Sequence, residues 1–121
     1  MRRNTIFILA LSSLLFLLER SPLMGKLERD FQAGLIKDLK QMFPGCIVMK
    51  NDSSYIQGIP DLLVLYKDKW ASLEVKKAAN ANRQPNQEYY VNQMNEMSFS
   101  RFIFPENKES VLNDLYQTFE S

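Results

Sequence analysis

The chain has 121 residues, 45% hydrophobic and 24% charged, which suits one domain with a modest core. It contains no histidine and a single cysteine, Cys46. That excludes histidine bases, histidine metal sites, Ser-His and Cys-His nucleophiles, an intrachain disulfide and a cysteine-based zinc site. The net charge is +1, so any surface for a polyanion is local. The chemistry left open belongs to carboxylates, lysines and hard cations.

Arg2 and Arg3 precede an apolar run from Ile6 to Leu18, which Glu19-Arg20 ends. The run falls short of the ~20 residues that span a bilayer. It has the charged start and apolar length of a signal peptide, but Glu19-Arg20-Ser21-Pro22 is a poor cleavage site. Three readings stand: an extension upstream of a true start at Met24, a signal or membrane-associating segment, and a core helix. The expected division is an apolar extension over 1–23 and a functional domain over 24–121.

Leu27, Phe31, Leu35, Ile36, Leu39, Met42 and Phe43 recur at helical spacing, and Pro44-Gly45 ends that helix. A short strand follows over Cys46–Lys50, with Cys46 packing as a small hydrophobe. Asn51–Ser54 reads as a loop in which Asp52 caps a turn. Two apolar runs, Asp61–Lys67 and Trp70–Lys77, flank a polar break and read as a β-hairpin. Ala78–Gln84 is small and polar, as expected of a mobile loop. Pro85 fits the first turn of a helix reaching about Met97, whose Met94 and Met97 fall on the expected core face. Ser100–Phe104 forms a strand that Pro105 breaks. Val111, Leu112, Leu115, Tyr116 and Phe119 mark a final helix. The order α-β-β-β-α-β-α describes an α/β or α+β domain.

The hairpin carries the chemistry. A turn centred on Lys67-Asp68 sets Asp61 opposite Glu74, and Glu74 and Lys76 share a strand face. Two carboxylates and an amine then converge at one end of an apolar hairpin. Such a cluster costs free energy unless it binds something, and a divalent cation is the natural candidate. Two further polar residues fall on apolar helix faces: Glu28, in line with Leu35, and Gln87, in line with Val91 and Met94. The bland reading of each is a helix-end residue that reaches solvent. Tyr89 and Tyr90 read as packing residues, with stacking on unpaired bases as the alternative.

Gly58-Ile59-Pro60-Asp61, followed by Glu74-Val75-Lys76, resembles the PD-(D/E)xK nuclease superfamily. Within it, the chain is most similar to virus-type replication-repair (VRR-NUC) nucleases and archaeal Holliday-junction resolvases, over roughly Lys26 to Met97. The resemblance implies an α/β restriction-endonuclease-like core of order α-β-β-β-α-β, here with a final helix. It implies a Mg²⁺-dependent DNA endonuclease, with Mn²⁺ as a substitute and a structured substrate such as branched or junction DNA. Asp61, Glu74 and the Val75 backbone carbonyl would hold the ion. Glu28 would reach it directly or through water. Lys76 would act at the scissile phosphate, and Gln87 would position Lys76 or the substrate. Lys50, Lys76, Lys77, Arg83 and Arg101 are the cations available for DNA phosphates. A homodimer would bring two sites to two strands. No small-molecule cofactor is expected, membrane contact would run only through 1–23, and the expected compartment is the cytoplasm of a bacterial or virus-infected cell. Two competing readings are a nuclease fold that binds nucleic acid without cutting, and a structural hairpin in which Lys76 pairs with Glu74 and Asp61.

Overall fold

A computed structural model describes residues 22–121. All but the last two residues of the 1–23 extension lie outside the described residues. Four strands form one mixed sheet, and three described helices pack against it. In chain order these are α1 (Pro22–Met42), β1 (Ile47–Lys50), β2 (Leu62–Tyr66), β3 (Lys69–Val75), α2 (Pro85–Met97), β4 (Phe99–Ile103) and α3 (Lys108–Phe119). The α/β class and this order agree with the pattern read from the sequence.

The strands lie in the order β1-β2-β3-β4. The first two pairs are antiparallel and β3–β4 is parallel. A parallel pair cannot be closed by a tight turn, and the segment containing α2 supplies the crossover. The β2–β3 hairpin turns at Lys67-Asp68, where Lys67 takes a left-handed φ of 56°. Its register pairs Leu62 with Leu73. Asp61 and Glu74 are the next positions along, which is the juxtaposition the turn dictated.

Strand alternation gives the sheet two unlike faces. Leu62, Val64, Tyr66, Ala71, Leu73 and Val75 are buried in one cluster with Leu35, Leu39 and Phe43 of α1 and Val111, Leu112, Leu115 and Phe119 of α3. Phe43, Tyr66 and Phe119 pack ring against ring, with centroids 5.0–5.6 Å apart. Cys46 packs against this cluster as expected. The other face is polar where α2 covers it. Ser72 and Ser100 are buried there, joined by a 2.7 Å hydrogen bond, and the Ser72 hydroxyl lies 3.6 Å from Met94 Sδ of α2.

Several side chains depart from the sequence pattern. Leu27 is about half exposed because burial along α1 begins only further on, at Leu35. Met97, at the end of α2, is 67% exposed and does not join the core. Tyr89 is exposed and meets Tyr90 edge to face rather than packing inward. The 78–84 segment is also less loose than its composition predicts. Ala81 is buried, the Ala81 amide donates to Ala78 O, and the Ala79 amide donates to Glu106 Oε2.

Candidate active site

Asp61 stands at the entry to β2 and is held from two sides. The Asn51 amide donates to the Asp61 carbonyl at 2.8 Å, and Asn51 Nδ2 donates to the Pro60 carbonyl at 2.8 Å. Asp61 Oδ2 accepts the Val75 amide at 2.9 Å, which ties its carboxylate to the end of β3. Glu74 is the neighbouring buried residue on β3, on the face where α2 packs. The next amide, Lys76 N, donates to Ile103 O at 2.8 Å and extends the parallel ladder by one bond. Lys76 is thus fixed by backbone pairing although it lies beyond the strand proper.

Gln87 joins these parts. It is the third residue of α2, and its side chain reaches back to the Gln84 amide at 3.0 Å, closing a capping box. The same Oε1 accepts Lys76 Nζ at 2.8 Å. Two donors on that oxygen settle the amide's orientation, which turns Nε2 toward Glu74 Oε2 at 3.4 Å. A helix-capping residue therefore aligns the lysine and one carboxylate oxygen together. The amine of Lys76 bonds to this amide rather than to Asp61 or Glu74, contrary to a simple salt-bridge cluster.

The other oxygen, Glu74 Oε1, is buried with no hydrogen-bond partner. The Glu74 carboxyl is pushed up to about 9, first by burial and then by the nearby charge of Asp61 and a hydrogen bond with its carboxyl. Lys76 opposes this and Glu28 adds to it. Glu28 is half-buried, and its pKa too is raised, first by desolvation and then by Asp61, with Lys76 and Lys77 opposing. The helix α1 therefore brings Glu28 to the same end of the sheet as the hairpin charges.

A buried carboxyl with no donor at Oε1, beside the second carboxyl of Asp61, is a poor arrangement for the charged form in the protein alone. It fits a cation. Among the described residues no group of three or more acidic, cysteine or histidine side chains could hold a metal ion unaided. The available set is two carboxylates, Asp61 and Glu74, with the Val75 carbonyl between Glu74 and Lys76 in the chain. That suits an ion such as Mg²⁺, which keeps several waters and takes few protein ligands.

A cleft of about 580 Å³ lies between the 51–59 loop and the start of α2, with Ser53, Gln57 and Asn86 in its walls, and it shares Gln87 with the site. Gly58 makes this junction possible. Its φ is 90°, and a Cβ there would stand 2.4 Å from Asn86 Cβ. Asp52 caps the loop as expected, accepting the Ser54 amide and hydroxyl at 2.9 and 2.6 Å.

Beyond Lys76, the cations expected at DNA do not gather at the carboxylates, and two of them, Arg83 and Arg101, line a separate cleft. Lys50 is exposed on the edge strand β1, whereas Lys77 is near enough to Glu28 to affect its ionisation. Arg83 lies over the Phe102 ring and Arg101 over Phe99. Sequence reasoning missed Asn51, which clamps the backbone of Pro60 and Asp61. An asparagine in a polar loop carries no mark of that role. No described helix is long and apolar enough to cross a membrane. No protein family, curated protein or solved structure matches this chain.

Proposed function

We propose that this chain is a Mg²⁺-dependent DNA endonuclease of the PD-(D/E)xK type, with Mn²⁺ as a substitute ion. What carries the reading is the linkage of Asp61, Glu74, Lys76 and Gln87 at one end of the sheet, with Glu74 Oε1 left without a donor. The strand order and the placement of both carboxylates at the β2–β3 end add support.

Asp61 and Glu74 would hold the cation, together with the Val75 carbonyl, and Glu28 would reach it directly or through water. The ion, when bound, supplies a Lewis acid for the phosphoryl oxygens and lowers the pKa of a coordinated water. Lys76 donates to a non-bridging oxygen of the scissile phosphate and stabilises the charge that grows there. Gln87 keeps the Lys76 amine in place and prevents it from collapsing onto Glu74. The Asp61–Val75 bond fixes the distance between the two carboxylates as substrate arrives.

A domain of this size has little surface for reading a long sequence, so branched or junction DNA is the proposed substrate. Two copies acting together would cut two strands. The test is cleavage of linear, nicked, flapped and four-way-junction DNA, with and without Mg²⁺. Metal-dependent cutting that favours the branched substrates is expected. Absence of cutting on all four would overturn the reading.

A further inference from the structure

A second cleft, of about 330 Å³, lies on the other side of α2, against the edge strand β4. Its walls include Arg83, Asn92, Asn95, Arg101, Phe102 and Asn107, and no carboxylate among the described residues lines it. Both guanidinium groups are held. Arg83 lies 4.1 Å from the centre of the Phe102 ring, and Arg101 lies 4.3 Å from that of Phe99. Stacking leaves a guanidinium's in-plane N–H donors available while restricting its motion.

The amides make the cleft more one-sided. Asn95 Oδ1 accepts the Ser100 amide at 3.1 Å and Arg101 Nη1 as well. Asn107 Oδ1 accepts the Phe104 amide at 2.8 Å. The oxygens of these two side chains are therefore occupied within the protein. What remains toward the cleft is the Asn95 NH₂, the unused donors of two arginines and an Asn92 amide that can turn to donate. A recess rich in N–H donors and poor in acceptors is built for an anion, and planar guanidinium forks match phosphate oxygens.

We propose that this cleft binds a backbone phosphate of DNA, away from the scissile bond; the assignment of the anion to DNA rests on the nuclease reading above. Phe102, beneath Arg83, pairs directly with Glu74 across the β3–β4 ladder. The cleft is thus one strand away from the candidate metal ligands. It supplies a local positive surface on a chain whose net charge is only +1.

The test is DNA affinity in Ca²⁺ across a salt series, for the full chain and for Arg83→Gln, Arg101→Gln and the double variant. Glutamine keeps a long planar side chain over each ring and removes the charge; Arg→Lys variants serve if melting curves show that a glutamine variant does not fold. The double Arg→Gln variant should make the log–log salt slope shallower by about 0.9, the share of one phosphate, and each single variant should fall between it and the parent. The Arg→Lys forms should keep most of the slope. Folded glutamine variants with the parent slope would overturn the proposal, and cleavage by the parent in Mg²⁺ would show that the nuclease reading survives that failure. Should the parent neither bind nor cut DNA, inorganic phosphate decides whether the cleft is an anion site. Saturable shifts of both arginine side-chain NMR signals would support a phosphate site, and their absence would overturn it.

Discussion

The two faces of the sheet use the same strands for opposite purposes. Under α1 and α3 the strands present Leu62, Val64, Leu73 and Val75, all almost fully buried among aliphatic and aromatic neighbours. Under α2 they present Ser72, Ser100 and Glu74, equally buried but polar. The first face gains free energy from every residue it hides. The second requires a partner for each polar group and lacks one, at Glu74 Oε1. Burial alone therefore does not separate core from site in this molecule. The separating property is whether a buried group is satisfied by the protein itself.

That contrast can be broken from either side. On the apolar face, Phe43→Ala should cost about 3–5 kcal/mol, because it leaves a cavity among Tyr66, Phe119 and the aliphatic cluster. Urea denaturation checks this, and any activity lost should follow the loss of folded protein. On the polar face, Lys76→Ala should leave the folded fraction unchanged and slow single-turnover cleavage by roughly 10²–10³-fold, the scale of one lost transition-state donor. Lys76→Arg should rescue poorly, since a permanently charged fork does not fit where a compact amine meets Gln87 Oε1.

A smaller effect is expected one bond further out. Gln87→Ala removes the group that aligns Lys76 and Glu74, and the loss in rate should be about 10–100-fold, typical of residues that orient ligands. Metal affinity and rate measured together distinguish this from a loss of helix capping, which would lower the melting temperature without altering the metal dependence.

A further effect concerns pH and the protein without metal. The Glu74 carboxyl is raised by burial and by Asp61 toward about 9. A group whose folded pKa lies above its unfolded value stabilises the fold fully below the unfolded pKa and loses that contribution as pH rises through the folded one. Stability of the metal-free protein should therefore fall between about pH 4.5 and pH 9. Glu74→Gln should flatten that fall. Adding Mg²⁺ should reverse it and release protons, with metal affinity rising across the same window. Melting temperatures across this range, with and without metal, provide the check.

Much of this arrangement was legible in the sequence because it depends on short-range rules. The hairpin turn at Lys67-Asp68 sets which residue faces Glu74. Helical spacing puts Gln87 on the inward side of α2, and Pro85 marks where that helix begins. What could not be read depends on how separate elements meet. Asn51 becomes a clamp only because β1 ends beside the entry to β2. Ala81 is buried although its neighbours are small and polar. Arg83 and Arg101 come to one cleft because β4 lies parallel to β3 with α2 across it, and their spacing along the chain carries no hint of that. Leu27 and Met97 fit an apolar stripe yet extend beyond the surface their helices cover. Periodicity gives the direction a side chain faces but not whether anything lies opposite.

The central claim is that Asp61 and Glu74 are metal ligands rather than a buried charge pair. The most direct measurement is single-turnover cleavage of a four-way-junction DNA in Mg²⁺ by the parent, Asp61→Ala and Glu74→Ala, with folding verified by circular dichroism. The account predicts cutting by the parent and none above background for either variant, while both remain folded. Cutting at close to the parent rate by either folded variant would contradict it.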